Sequence, residues 1–196
     1  LHATDGTVAG TRVYVDLVPG PANSNARAIG AVGSNLVVQV GTELYVTDGT
    51  ANGTRRFATG VDRELVRVLG VVGSRFVIAS RRLAISDFVL LSCDGTETGT
   101  FPLGTVSSAT DASLRGNQLV LLCSSTLGQV VATDGFTLST VGYLPFGFVP
   151  RSGFARLGAH DYFLADAPSQ NSLLCRTDGT ILGTSVVAGL GPTQGA

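Results

Sequence analysis

Apolar residues along this chain come in short runs broken by glycine-bearing turns, and no run holds a helical spacing. Ile29-Gly-Ala-Val-Gly33-Ser-Asn-Leu36-Val-Val places two apolar stretches around a Gly-Ser turn, and Leu69-Gly-Val-Val-Gly73-Ser-Arg-Phe76-Val-Ile repeats it. Weaker copies are Leu114-Arg-Gly116-Asn-Gln-Leu119-Val-Leu and Leu157-Gly-Ala-His160-Asp-Tyr-Phe163-Leu. Each reads as a β-hairpin. Aligning the copies puts His160-Asp161 in the turn filled elsewhere by Gly33-Ser34, Gly73-Ser74 and Gly116-Asn117. β-Branched residues and glycines interrupt every candidate 3.6-residue period, so no helix is expected.

A second signal alternates with the first. Asp-Gly-Thr-x-x-Gly-Thr, or a close copy, starts at Asp5, Asp48, Asp94, Asp134 and Asp178, at spacings of 43, 46, 40 and 44 residues. One strand precedes it (Leu44-Tyr-Val-Thr47) and another comes after it (Thr54-Arg-Arg-Phe-Ala58), which makes four strands per repeat. A period in the forties built from strands and tight turns is the signature of a β-propeller blade. The expected fold is therefore all-β, a β-propeller or a propeller arc. It has four complete four-stranded units at about 26–60, 65–104, 112–145 and 154–190. A partial unit at 1–17, the motif hairpin, precedes them; residues 1–190 form a single domain and 191–196 a tail.

The motif residues are read as a structural hairpin staple: Asp5, Gly6, Thr7, Gly10 and Thr11; Asp48, Gly49, Thr50, Gly53 and Thr54; Asp94, Gly95, Thr96, Gly99 and Thr100; Asp134 and Gly135; Asp178, Gly179, Thr180, Gly183 and Thr184. Asp-Gly supplies a tight turn whose glycine takes positive φ and whose carboxylate accepts backbone N–H groups a few residues on. The threonines add hydroxyl bonds. The fourth copy departs from the rest, reading Asp134-Gly-Phe136-Thr-Leu-Ser139-Thr140.

Composition fits many strands and many turns: 44% of residues are hydrophobic, 14% charged, and 26 are glycine. The formal charge is −1 and every basic residue is Arg, so no cationic face able to track a phosphate backbone is implied, and nucleic acid is not an expected partner. No apolar stretch long enough to span a membrane is present. The chain opens at Leu1 inside a motif and contains no Met, which reads as a piece of a longer protein.

Glu43-Leu44-Tyr-Val-Thr-Asp48-Gly-Thr-Ala-Asn-Gly-Thr54 resembles the bacterial ELWxxDGT repeat, and Thr11-Arg-Val-Tyr-Val-Asp16-Leu-Val-Pro19-Gly20 resembles the stretch usual on the C-terminal side of that motif. The tryptophan position holds His2, Tyr45, Leu91, Val131 and Cys175, and the glutamate survives only at Glu43. The resemblance implies a large secreted or surface-attached bacterial protein with propeller-like arrays and no assigned chemistry.

Candidate chemistry is sparse. Each loop carries one carboxylate, against the six to eight oxygens calcium takes, so no metal is expected. Cys93, Cys123 and Cys175 lie on strands without Cys-x-x-Cys spacing and read as small buried hydrophobes. His2 reads as packing. Outside the motif, Asp16, Asp62, Asp87, Asp111, Asp161 and Asp166 form no recognisable pair, and no Gly-x-Ser-x-Gly element occurs. Arg55-Arg56 and Arg81-Arg82 read as one solvated and one snorkelling residue each. No catalytic residue and no cofactor are assigned. The function expected is a non-catalytic extracellular or cell-surface scaffold for adhesion or for binding a protein or glycan ligand. The alternatives are a propeller enzyme acting on polysaccharide or sialoside, and an intracellular protein-interaction propeller.

Overall fold

A computed structural model describes residues 1–21, 23–41, 43–57, 63–82, 87–123, 128–145, 147–151, 153–167 and 171–192, all strand, turn or loop. Sheet 1 is a two-stranded hairpin of β1 (His2–Ala3) and β2 (Arg12–Val13). Sheet 2 runs β3 (Arg27–Val32), β4 (Asn35–Val40), β5 (Glu43–Thr47), β6 (Arg55–Phe57). Sheet 3 runs β7 (Arg63–Val72), β8 (Arg75–Arg82), β9 (Phe88–Cys93), β10 (Phe101–Val106). Sheet 4 runs β11 (Asp111–Arg115), β12 (Gln118–Cys123), β13 (Gln129–Thr133), β14 (Leu138–Tyr143). Sheet 5 holds β15 (Val149–Pro150), β16 (Ala155–Leu157), β17 (His160–Asp166), β18 (Asn171–Thr177) and β19 (Ser185–Pro192). Each is an antiparallel meander in sequence order. Sheet 5 counts five strands because its first is broken: β15 and β16 both pair with β17, one at Ala165–Asp166 and the other at His160–Tyr162. The last strand reaches Pro192, two residues into the segment read as a tail. Ala58, Asp62 and residues 193–196 lie outside the described residues.

Strand alternation gives sheets 3 and 4 two apolar faces, and each of these central sheets is packed on both sides. The forward face of sheet 2 (Val32, Val37, Leu44, Val46, Phe57) meets the backward face of sheet 3 (Phe76, Ile78, Leu91, Cys93). The forward face of sheet 3 (Val72, Val77, Ala79, Leu90, Val106) meets Leu119, Leu121, Cys123 and Val131 of sheet 4. Sheet 4 then sets Val120, Leu122, Val130, Ala132 and Val141 against Phe163, Ala165 and Cys175 of sheet 5. The core is three layers between sheets. Close approach is possible because the repeated first glycine of the Gly-x-Val-Gly pattern lacks a side chain. A Cβ on Gly30 would lie 2.8 Å from Val71 of the next sheet, and one on Gly70 would lie 2.9 Å from Leu119. Four-stranded meanders stacked face to face in chain order, preceded by a motif hairpin, make this chain a β-propeller arc.

The register places the turn of each first hairpin and the motif loop at the same end of each sheet, since Leu36 pairs Thr47, Phe76 pairs Cys93, Leu119 pairs Thr133 and Asp161 pairs Thr177. One end of the arc therefore carries the motif loops of sheets 2 to 5. Among the described residues no helix is long and apolar enough to cross a membrane.

Candidate functional site

The motif loop closes on itself through hydroxyls. In the second copy Asp48 Oδ1 accepts the Thr50 amide at 2.9 Å and the Thr50 hydroxyl at 2.8 Å. Thr50 Oγ1 accepts the Gly53 amide at 2.9 Å, and the Thr54 hydroxyl donates to the Thr50 carbonyl at 2.6 Å. Thr54 has thus spent its one proton. Thr47 Oγ1, 2.7 Å from Thr54 Oγ1, must donate to it while accepting the Gly49 amide at 3.1 Å. The same circuit recurs around Asp5, with Thr4, Gly6, Thr7, Gly10 and Thr11, and around Asp178, with Thr177, Gly179, Thr180, Gly183 and Thr184. At Asp94 the bonds through Thr96, Gly99 and Thr100 are kept, and Cys93 stands in the place of the leading threonine. That leading threonine is part of the motif, which sequence reading missed although Thr4, Thr47, Thr133 and Thr177 all precede an Asp-Gly.

The two glycines serve different ends. The first takes φ near +90° (Gly6 91°, Gly49 90°, Gly95 93°, Gly135 91°, Gly179 85°), the region where a Cβ is strained. The second has no room for a side chain: a Cβ on Gly10, Gly53, Gly99 or Gly183 would fall about 2 Å from the carboxylate of Asp5, Asp48, Asp94 or Asp178. The Asp side chain occupies that space. The fourth copy lacks this glycine and makes a shorter turn, with Asp134 Oδ1 accepting the amides of Phe136 and Thr137 at 2.9 and 2.8 Å. Ser139 and Thr140, aligned by sequence with Gly-Thr, are part of β14 instead.

Thr hydroxyl bonds hold the carboxyls of Asp5, Asp48, Asp94 and Asp178 below the usual carboxylate range, and for Asp134 the Thr137 amide leads. The loops stay ionised and closed. Their x-x residues point outward: Val8 is 97% exposed, Ile181 70% and Leu182 98%, while Ala51-Asn52 and Glu97-Thr98 are also exposed. Phe136, at the tip of the shorter loop, is 62% exposed.

Polar anchors tie neighbouring sheets together at this end. Arg75, at the start of β8, is buried; its Nε donates to Ser92 Oγ at 2.6 Å and its Nη2 donates to the Gly99 carbonyl. Its guanidinium lies 4.6 Å from the Phe101 ring centre and 5.1 Å from that of Phe136 on sheet 4. Ser92 Oγ donates onward to the Gly135 carbonyl of sheet 4 at 2.5 Å, and Arg55 Nη2 of sheet 2 donates to the Gly95 carbonyl of sheet 3 at 3.1 Å.

Asp161 corrects the sequence alignment. The turn of the sheet 5 hairpin is Gly158-Ala159, so His160 and Asp161 begin β17, and Asp161 holds the backward-face position of Phe76 and Leu119. The side chain is fully buried. Arg156 Nε meets Oδ1 at 2.8 Å and Nη2 meets Oδ2 at 3.2 Å, and Arg115 of sheet 4 approaches Oδ2 at 3.1 Å. Burial pushes the Asp161 carboxyl up, but bonds from Arg156, Arg115 and Ser113 outweigh it and hold the group below the usual range. Arg156 also donates to the Ser113 hydroxyl and the Leu114 carbonyl of sheet 4. At the opposite end Asp111 Oδ2 accepts the amides of Gly153 and Phe154 at 2.7 and 2.9 Å, joining sheets 4 and 5.

The remaining candidates are dispersed. Cys93, Cys123 and Cys175 are buried and unpaired, and burial raises their thiols to about 11, 12 and 11. Arg56 pairs with Glu43 at 2.8 Å, and Arg81 lies 5.9 Å from the Phe88 ring centre. His2, Asp16 and Ser24 line one cavity of about 450 Å³ beside sheet 1, where Asp16 accepts the Val18 amide in a local turn. Among the described residues no three His, Cys, Asp or Glu side chains are grouped to hold a metal.

No family model and no curated protein sequence matches the chain. A solved structure of a prolyl endopeptidase resembles it with a TM-score of 0.53 at 16% identity, over 82% of this chain and 25% of that one. That likeness is one of propeller-type fold. BamB from Moraxella catarrhalis aligns over 85% of this chain and 63% of its own, with 15% identity and a TM-score of 0.35. The chain spans a quarter of the endopeptidase and under two thirds of BamB.

Proposed function

We propose that this chain is a non-catalytic repeat scaffold, extracellular or at the cell surface, which displays its motif loops to protein or glycan partners. The observation that carries this reading is the division of labour inside the motif. Recurring Thr, Asp, Gly, Thr, Gly and Thr groups are consumed in holding the loop, while the two x-x positions are exposed and differ from copy to copy: Val8-Ala9, Ala51-Asn52, Glu97-Thr98, Ile181-Leu182. A rigid loop with changeable tips binds at low entropic cost. The buried carboxylate and arginines are likewise engaged in joining sheets. The location rests on the motif's resemblance to the bacterial ELWxxDGT repeat, and the likeness to an endopeptidase is of fold alone.

The test is a glycan array together with cell-surface binding, run on the parent chain and on Ile181→Ser/Leu182→Ser. Binding that drops at least tenfold in the double variant supports the reading. Turnover of a chromogenic glycoside by the pure chain, or binding that the double variant leaves unchanged, overturns it.

A further inference from the structure

Sheet 5 repeats on its forward side the apolar pattern that buries the forward side of every complete sheet before it. Val37, Val77 and Val120 are fully buried by the following sheet, and the residue in that place on sheet 5 is Tyr162, half-exposed. Ala79 and Leu122 correspond to Leu164, which is 40% exposed, and Leu44, Leu90 and Val130 correspond to half-exposed Leu174. Leu164 and Leu174 pair across β17 and β18, so the uncovered side chains form one patch.

The three existing interfaces also say what kind of surface covers such a face. Each forward face seats the first glycine of the next motif loop. A Cβ on Gly95 would lie 3.6 Å from Val46, one on Gly135 would lie 3.3 Å from Val72, and one on Gly179 would lie 3.4 Å from Val120. In two of the three the preceding sheet also donates to that glycine's carbonyl, through Arg55 to Gly95 and through Ser92 to Gly135. Arg176 is exposed on sheet 5 in the place that Ser92 takes on sheet 3.

We propose that the forward face of sheet 5 is a docking face for one further four-stranded unit of this same repeat. Tyr162, Leu164 and Leu174 pack on that unit's large apolar backward residues, and Arg176 donates to the carbonyl of its Asp-Gly turn. Sheet 4 has the required backward face in Leu119, Leu121 and Val131.

The test appends a copy of residues 111–143 after residue 196, so that residues 193–196 form a connection of the same length as 107–110. Thermal unfolding is then compared for the parent chain, the extended chain, and both carrying Leu164→Glu. The expected result is one transition in the extended chain with a midpoint raised by about 5 °C. Leu164→Glu should abolish that gain and barely move the parent chain, where the position is already half open. Leu164→Ala and Arg176→Ala supply milder variants, each expected to remove part of the gain. An appended unit that is protease-sensitive and adds no stability overturns the proposal, as does a gain that Leu164→Glu leaves intact.

Discussion

The interface between sheets 2 and 3 and the one between sheets 4 and 5 share a backbone plan and differ in chemistry at one pair of positions. At the motif end Val32 of sheet 2 packs with Phe76 of sheet 3, and Val72 of sheet 3 with Leu119 of sheet 4. The corresponding pair between sheets 4 and 5 is Arg115 with Asp161. Where the other two interfaces hold an apolar contact, this one holds an ion pair at both positions. A lone substitution would have left a buried charge unpaired, which costs several kcal/mol, whereas the pair with Arg156 added satisfies both carboxylate oxygens. The apolar version tolerates changes in shape at moderate cost. The charged version tolerates the loss of neither partner.

Four experiments press on that contrast. Phe76→Ala, which empties a fully buried site and removes the edge-to-face contact with Phe57 at 5.7 Å, is expected to cost about 4 kcal/mol in chemical denaturation. Asp161→Ala should cost about 3 kcal/mol, because Arg115 is left with little solvent to turn to. A loss below about 1 kcal/mol would show that the charged interface is no more demanding than a surface pair. Gly53→Ala drives a Cβ into the Asp48 carboxylate and should cost about 1 kcal/mol or more. The smallest effect belongs to Arg115→Val with Asp161→Leu, which rebuilds the pattern of sheets 2 to 4. It is expected within about 1 kcal/mol of the parent at neutral pH.

The same double variant separates the two interfaces by pH. The folded state lowers the Asp161 carboxyl, so it binds fewer protons folded than unfolded. The stability it supplies is complete above the unfolded value near pH 4 and is lost as pH falls through the lower folded value. The parent should therefore weaken on acidification more steeply than the double variant. The motif aspartates are lowered in the same direction and add an acid slope common to both proteins. Parallel acid profiles would remove Asp161 from this account.

Much of the architecture is legible in the chain because periodicity and turn chemistry act locally. Gly33, Gly73 and Gly116 mark hairpin turns, and the motif marks the second hairpin of each unit. The fully buried, two-sided sheets explain why apolar runs appear without clean alternation. What the sequence hides are relations between sheets. Matching Gly158 to Gly30 puts Asp161 in a turn, whereas the pattern Leu157-Gly158, like Val32-Gly33 and Val72-Gly73, sets the turn correctly. Nothing in the run Gly73-Ser-Arg75-Phe76 marks Arg75 as buried; Ser92 and Phe101 of its own sheet and Phe136 of sheet 4 enclose it. The second motif glycine reads as ordinary turn chemistry, and its real cause is the Asp side chain that fills the space of its Cβ.

The sequential meander carries a mechanical consequence. Each sheet is entered at its first strand and left at its last, and the chain then passes directly to the next sheet. Tension applied through the two ends of the arc therefore passes through every sheet in series and pulls strands off the edges of whichever sheet yields first. Such a chain lengthens in steps, each releasing one period of roughly 40 residues, or about 14 nm of contour. The sheets next in line remain folded while it does so, and the arc behaves as a series of breakable links.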